Sequence, residues 1–261
     1  MPDRPNLIYR YDGSFDGLLC CVFESYAAKE IPANIFSAAL PQTTLFPVKD
    51  IATDPQKAKR VAGSIPKKMG AEVLDFVRHA FLTCLPQKER HILLFLRLGY
   101  RLGPAVCDHL ADPAVDTLQK AVRHLLNEAH LLKGFIRFST FGGALVTEIE
   151  PKNVVLPLLS WHFRSRYPEE RFLILDKTHG MALVYRPHTA RIVPVEELTL
   201  PDPDETEQAM RRLWKQYYDT IEIKGRHNPR CRMGHMPKRY WGNLTEFDHG
   251  PTGLHNPFKD T

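Results

Sequence analysis

Long apolar runs are missing from this sequence: no stretch approaches the ~18 to 20 apolar residues that a membrane span requires. The opening MPDRPNLIYRYDG also lacks the apolar core of a secretory signal. No membrane partner and a cytoplasmic address are therefore expected. Cysteine is scarce. The five present, Cys20, Cys21, Cys84, Cys107 and Cys231, form no CxxC pair, and their odd number argues for reduced thiols over a disulfide framework. Iron–sulfur and zinc-ribbon classes lose their usual ligands. A GxSxG elbow, a Walker loop, a dinucleotide fingerprint and a paired zinc motif are also absent, which removes the most easily recognised enzyme classes without excluding an unfamiliar one.

What is present is an ordinary globular composition with its positive charge gathered at one end. With 43% hydrophobic residues over 261 positions, the chain can bury a substantial core in one large or two small domains. The 31 residues from Arg211 to Trp241 hold nine Lys/Arg against only Asp219 and Glu222, a local charge of +7. The whole chain is +5, so everything outside that segment sums to −2. Trp214, Tyr217, Tyr218, Tyr240 and Trp241 are interleaved with the cations, a footprint suited to DNA or RNA. Solvated cations on a terminal helix and strap would give the same pattern.

Taken in order, Leu7 to Tyr11 reads as a short strand. An amphipathic helix follows, N-capped by Ser14 with Asp16 in its first turn, and Pro32 closes it. Thr43 to Ile51 carries a second short strand pattern before Asp54-Pro55, a cap followed by a first-turn proline. From Asp54 to about Lys133 four or five short helices are predicted, with the basic cluster Lys57, Lys59, Arg60, Lys67 and Lys68 at their start. A hairpin turning at Gly142-Gly143 comes next, then a helix over Val154 to Tyr167 and strands over Arg171 to Leu175, Met181 to Arg186 and Ala190 to Val195. A last helix starts at Asp202-Pro203 and is expected to be buried through Met210, Leu213, Trp214, Tyr217 and Ile221. Gly225, Pro229, Gly234 and Pro237 then point to a loop-rich strap. The class is α+β, an antiparallel sheet with packed helices plus a helical lobe. Because Leu7 to Tyr11 is too short to stand alone, residues 1–53 and 134–241 are expected to form one discontinuous core domain. Residues 54–133 would be the lobe beside it, and 242–261 a loose tail.

Three stretches carry a resemblance: YRYDGSFDGLLCCVFESYAAKEIP, EIEPKNVVLPLLSWHFRSRYPEERFLILDKTHGMALVY and LWKQYYDTIEIKGRHNPRCRMGHMPKRYW. Over nearly its full length the chain resembles a bacterial family catalogued as probable DNA metabolism or DNA repair proteins. Members are typically encoded beside a radical-SAM DNA-repair protein, and some are fused to a uracil-DNA glycosylase. The NPR…HMPKRYW signature is the most specific part. The resemblance implies a DNA context and a radical-SAM DNA-repair protein as partner, rather than an activity. This chain has no CxxxCxxC motif, so radical-SAM chemistry would belong to the neighbour.

The nucleic-acid-binding candidates are Arg211, Arg212, Lys215, Arg226, Arg230, Arg232, Lys238 and Arg239 for phosphates, with Tyr240 and Trp241 as stacking platforms. His227-x3-Cys231-x3-His235 has metal-ligand residue types at helical spacing, but Pro229 and Gly234 within it argue against a regular helix. No metal site and no cofactor are therefore expected. Acid–base candidates are His162, Asp12, Asp16, His227 and His235, with turn and cap chemistry the ordinary explanation for the two aspartates. Three functions stay open: a DNA-binding repair accessory, an enzyme acting on DNA or nucleotides (glycosylase, lyase or nuclease), and an interaction module for an acidic partner.

Overall fold

A computed structural model describes residues 3–38, 44–196, 198 and 203–247. The fold is α+β, and the chain divides into two sequential compact units, Met1–Asn127 and Glu128–Thr261.

The first unit opens with β1 (Asp3–Tyr11), α1 (Phe15–Ala27) and β2 (Ile31–Ser37), followed by β3 (Val48–Asp50). Both neighbours of β1 are parallel to it, in the order β2-β1-β3, and α1 supplies the crossover that a parallel β1–β2 pair requires. Ser14 caps α1 as its sequence suggests, its Oγ accepting from the Gly17 N–H at 2.9 Å. Asp54 likewise caps α2 (Pro55–Met69), accepting from the Gln56 N–H at 2.8 Å. The helices α3 (Ala71–Phe81), α4 (Lys88–Leu102) and α5 (Pro113–Phe135) follow, with a 3₁₀ segment at Gly103–Asp108.

This arrangement corrects two expectations. β1 does not join the strands after Gly134; it makes its own sheet with β2, where the sequence suggested only a helix stop at Pro32. β2 lies at the edge of this sheet, and its sequence IPANIFS shows no period-two signal that would have marked it as a strand. Nor do residues 54–133 stand apart as a lobe. Tyr9, Leu18 and Ile35 share one buried cluster with Ile65, Val77, Phe95 and Leu118, so strands and helices of this unit are covered by a common core. Thr43 lies outside the described residues.

In the second unit, β4 (Ser139–Phe141) and β5 (Ala144–Ile149) form the expected hairpin. Gly142 and Gly143 occupy its turn at φ +55° and +74°, where a Cβ would be strained. The helix α6 (Leu156–Arg166) then crosses to β6 (Phe172–Asp176), and β7 (Met181–Arg186) and β8 (Thr189–Pro194) complete the order β4-β5-β6-β7-β8. The sheet is mostly antiparallel, but β5 and β6 run parallel, which the crossover through α6 makes possible. Leu156, Leu159 and Phe163 of α6 are buried with Phe172, Ile174 and Leu183 of the sheet, and Phe172 stacks on Tyr185 at 4.7 Å.

The C-terminal part contains α7 (Glu205–Ile221), α8 (Pro229–His235) and 3₁₀ segments at Lys224–Arg226, Lys238–Asn243 and Thr245–Phe247. Asp204 caps α7 by accepting from the Glu207 N–H at 2.8 Å, while Asp202 lies outside the described residues. The expected loose tail begins too early at Gly242: Leu244 and Glu246 are buried, because a 3₁₀ segment docks them beside α7. Residues 248–261 lie outside the described residues.

Candidate nucleic-acid interface

Charge and amphipathicity make α7 look like a core helix, yet no residue on it is buried. Met210, Leu213, Tyr217 and Ile221 are all more than half exposed, and Trp214 is 40% exposed. Polar contacts anchor the helix instead. Arg211 donates from Nη2 to Ser139 Oγ at 2.6 Å and from Nε to Glu207 Oε1 at 3.0 Å. Trp214 Nε1 donates to Oε2 of the buried Glu246 at 3.0 Å, and Arg137 Nη2 donates to Oε1 of the same carboxylate at 2.9 Å. The expectation of a buried Trp214 stripe is thus corrected: period 3.6 shows that a helix has an apolar face, not that the face is covered.

The segment beyond Lys224 is likewise not a plain strap. Asn228 accepts from the Cys231 N–H at 3.0 Å, and Pro229 sits at the first position of α8, where a missing N–H costs nothing. Helix formation across Pro229 and Gly234 therefore departs from the sequence expectation, although α8 is only one to two turns long. His227 precedes the Asn228 cap and pairs through Nδ1 with Glu222, so the His227/Cys231/His235 spacing does not fall on one helix. Among the described residues, no three His, Cys, Asp or Glu side chains are gathered as a metal ion requires.

The nucleic-acid candidates divide by what holds them. Arg212, Arg226 and Arg230 are exposed and have no ion-pair partner among the described residues; Lys238, also exposed and without one, lies over the Trp241 ring at 5.9 Å. The others are used by the fold. Lys215 lies 3.7 Å from Asp219 and donates to the Glu246 carbonyl at 3.4 Å. Arg232 lies over the rings of Trp241 and Phe247 at 5.5 and 5.4 Å. Arg239 lies over Tyr240 and comes within 3.4 Å of the buried Glu128. Tyr240 is itself buried and packs on Phe135, so burial raises its phenol pKa and a nucleobase has no free face there. Trp241 stacks on Phe247 at 4.6 Å and donates from Nε1 to the Met236 carbonyl at 2.9 Å.

A site that the sequence did not reveal lies between α5, α6 and α7, a cleft of about 720 Å³. Four cations line it: Lys133, Arg137, Arg166 and Arg211. Phe138, Tyr167 and Trp214 supply aromatic wall. Its one lining carboxylate among the described residues, Glu207, is already spent on Arg211 and on the Thr140 N–H. Burial would raise the pKa of Glu207, but hydrogen bonds from Thr140, Ser139 and Arg211 outweigh it and hold the carboxyl below its ordinary value. His162 is close enough to feel this cluster. Burial first, then the charges of Lys133 and Arg166, lower its pKa and favour the neutral ring. The only sequence signals were the closely spaced Lys133 and Arg137 and the WHFRSRY run, which no single helical period links.

Asp12 and Asp16 belong to the first unit. Asp12 accepts from the Ser14 N–H and hydroxyl at 2.9 and 2.7 Å and from Thr53 Oγ1 at 2.7 Å. Burial opposes ionisation, but these donors prevail and lower its pKa. That is turn chemistry; Asp16 is exposed in the first turn of α1. His235 is exposed at the end of α8.

The fold and these surfaces define an α+β protein whose second unit combines exposed arginines with a cationic, aromatic-lined cleft. A family model described as a domain of unknown function, DUF4130, matches residues 86–246. The chain belongs to this family. None of the curated proteins and none of the solved structures compared with it matches.

Proposed function

We propose that this protein binds DNA in the context of repair, as an accessory to a radical-SAM repair enzyme whose chemistry it does not itself carry. The observation that carries the DNA reading is the concentration of charge: a +7 segment on a chain of +5, in which Arg212, Arg226, Arg230 and Lys238 are exposed and have no ion-pair partner among the described residues. Cations that no carboxylate neutralises are the groups that displace counterions from a phosphate backbone. The repair context and the radical-SAM partner rest on the sequence resemblance alone.

The test is binding of the full chain to a labelled duplex over a salt series. Log affinity should fall against log salt by about 0.7 to 0.9 per phosphate neutralised. Arg226→Glu, Arg230→Glu and Lys238→Glu should each reduce that slope while leaving thermal stability within about 0.5 kcal/mol, since none of them holds the core. A flat slope would sink the DNA reading and favour an acidic protein partner. A second reading, an enzyme acting on DNA or nucleotides, is favoured by His162, which lies one residue before the cleft-lining Phe163 and whose pKa is lowered by burial and then by the charges of Lys133 and Arg166. Incubation with damaged and undamaged oligonucleotides tests it, with loss of any product formation in His162→Gln as the expected signature.

A further inference from the structure

The cleft of the second unit has no role in the duplex grip just described, because its cations are set into a concavity while the free arginines of the basic segment are on the surface. Its chemistry is specific. With Glu207 spent internally, the positive charge of Lys133 and Arg166 is uncompensated in a concave site, where field lines focus and an anion gains most. Lys133 has no ion-pair partner among the described residues. Arg166 is exposed at the lining of the cleft, where it leans over the Tyr167 ring at 5.7 Å with its Nε 3.4 Å from the Tyr167 hydroxyl. A guanidinium fork beside an ammonium suits a phosphate group.

The opposite requirement is set by the aromatic wall. Trp214 is 40% exposed with Tyr217 stacked on it at 5.6 Å and Arg137 over its ring at 5.9 Å, and the bond from Nε1 to Glu246 fixes the ring in place. Tyr167 meets Phe138 edge-on, with centroids 5.6 Å apart and planes at 79°, so the two rings do not stack on each other; Arg166 takes one face of Tyr167. A sugar phosphate would satisfy the cations and waste the rings; an apolar acid would satisfy the rings but bring a weaker anion. A planar ring carrying a phosphate uses both. The volume falls within the range of about 300 to 1,000 Å³ typical of small-ligand pockets.

We propose that this cleft binds one nucleotide, the base against the aromatic wall and the phosphate at Lys133 and Arg166. Resting on the DNA reading, its source is an unpaired position in a strand, because a base stacked inside a duplex cannot present its face to a pocket.

Deoxyadenosine monophosphate is titrated into the full chain by calorimetry, alongside deoxyadenosine and inorganic phosphate, and duplex and single-stranded oligonucleotides are compared by anisotropy. The nucleotide should bind more tightly than either of its parts. Arg166→Ala should weaken it about tenfold, as loss of a charge-assisted contact does, and leave deoxyadenosine unchanged. Lys133→Ala should act alike; if that half-buried site fails to fold, the exposed Arg166 carries the test alone. Arg230→Glu should weaken duplex binding and spare the nucleotide. A nucleotide no tighter than phosphate, or indifferent to Arg166→Ala, overturns the pocket even where salt-dependent duplex binding persists. Nucleotide binding with no affinity for either oligonucleotide keeps the pocket as a free-nucleotide site and overturns the DNA reading and the strand source with it.

Discussion

At the scale of single residues, the tie between α7 and β4 depends on the partly enclosed carboxylate of Glu207. Glu207 accepts from Thr140 N–H at 3.1 Å and from Arg211, bonds that need its charge. Its folded-state pKa lies below the unfolded value, so ionisation favours the native state. The sign follows: this contribution is complete above the ordinary glutamate pKa and is lost as pH falls through the lowered one. Glu207→Gln should therefore cost about 1 to 3 kcal/mol at neutral pH, and the gap from the parent should close as pH falls from the ordinary glutamate range through the lowered pKa. Urea unfolding at several pH values measures this. A gap independent of pH would mean that the carboxylate contributes by shape and neutral hydrogen bonding only. Glu207 shows what a sequence conceals at this scale. It reads as an acidic first-turn residue suited to the positive end of α7, and nothing in its neighbours names Ser139 or Thr140, nearly seventy positions away, as the strand it ties down.

Among the elements, those governed by neighbouring residues were legible. Ser14 and Asp54-Pro55 set helix starts, Gly142-Gly143 set a hairpin, and β7 occupies the bounds Met181–Arg186 that alternation gives. β2 and the direction of the β5–β6 pairing were not: IPANIFS carries no alternation, and the patterns that marked β5 and β6 as strands do not say which way the two run. The same limit explains α7, whose apolar face is visible in sequence while its exposure is not. Leu213 and Leu244 make the consequence measurable. Leu213→Ala, on the exposed face, should change stability by no more than about 0.5 kcal/mol. Leu244→Ala, in the segment read as a tail, should cost about 2 to 5 kcal/mol by leaving a cavity beside α7. Thermal unfolding of the two variants decides. Equal losses would show that α7's apolar face is covered in solution.

On the scale of the whole molecule, the domain plan was the least legible level. Assigning β1 to a sheet required knowing all the strands, and missing β2 sent β1 to the wrong one. The cleft escaped for a related reason: Lys133, Arg166 and Arg211 sit on three different helices and Arg137 in the segment after α5, and only the fold of the second unit gathers them. Two sequential units, each with its own buried residues, should also lose stability separately. Phe95 is fully enclosed in the cluster running from Tyr9 to Val122, and Phe172 is enclosed by Phe138, Phe163 and Tyr185. Truncating either ring to alanine should cost about 3 to 5 kcal/mol. Hydrogen exchange read by mass spectrometry locates the loss, because amides report the opening of the cooperative unit that contains them. In Phe95→Ala, exchange should quicken through β1, α2 and α4 and stay at the parent rate in β6 and β7; Phe172→Ala should show the reverse. The helix α5 crosses the boundary between the units, so its last third, from Glu128 onward, should follow β6 and β7. Uniform acceleration in both variants would mean that α5 couples the two cores into one cooperative unit, and that the chain folds as a single domain.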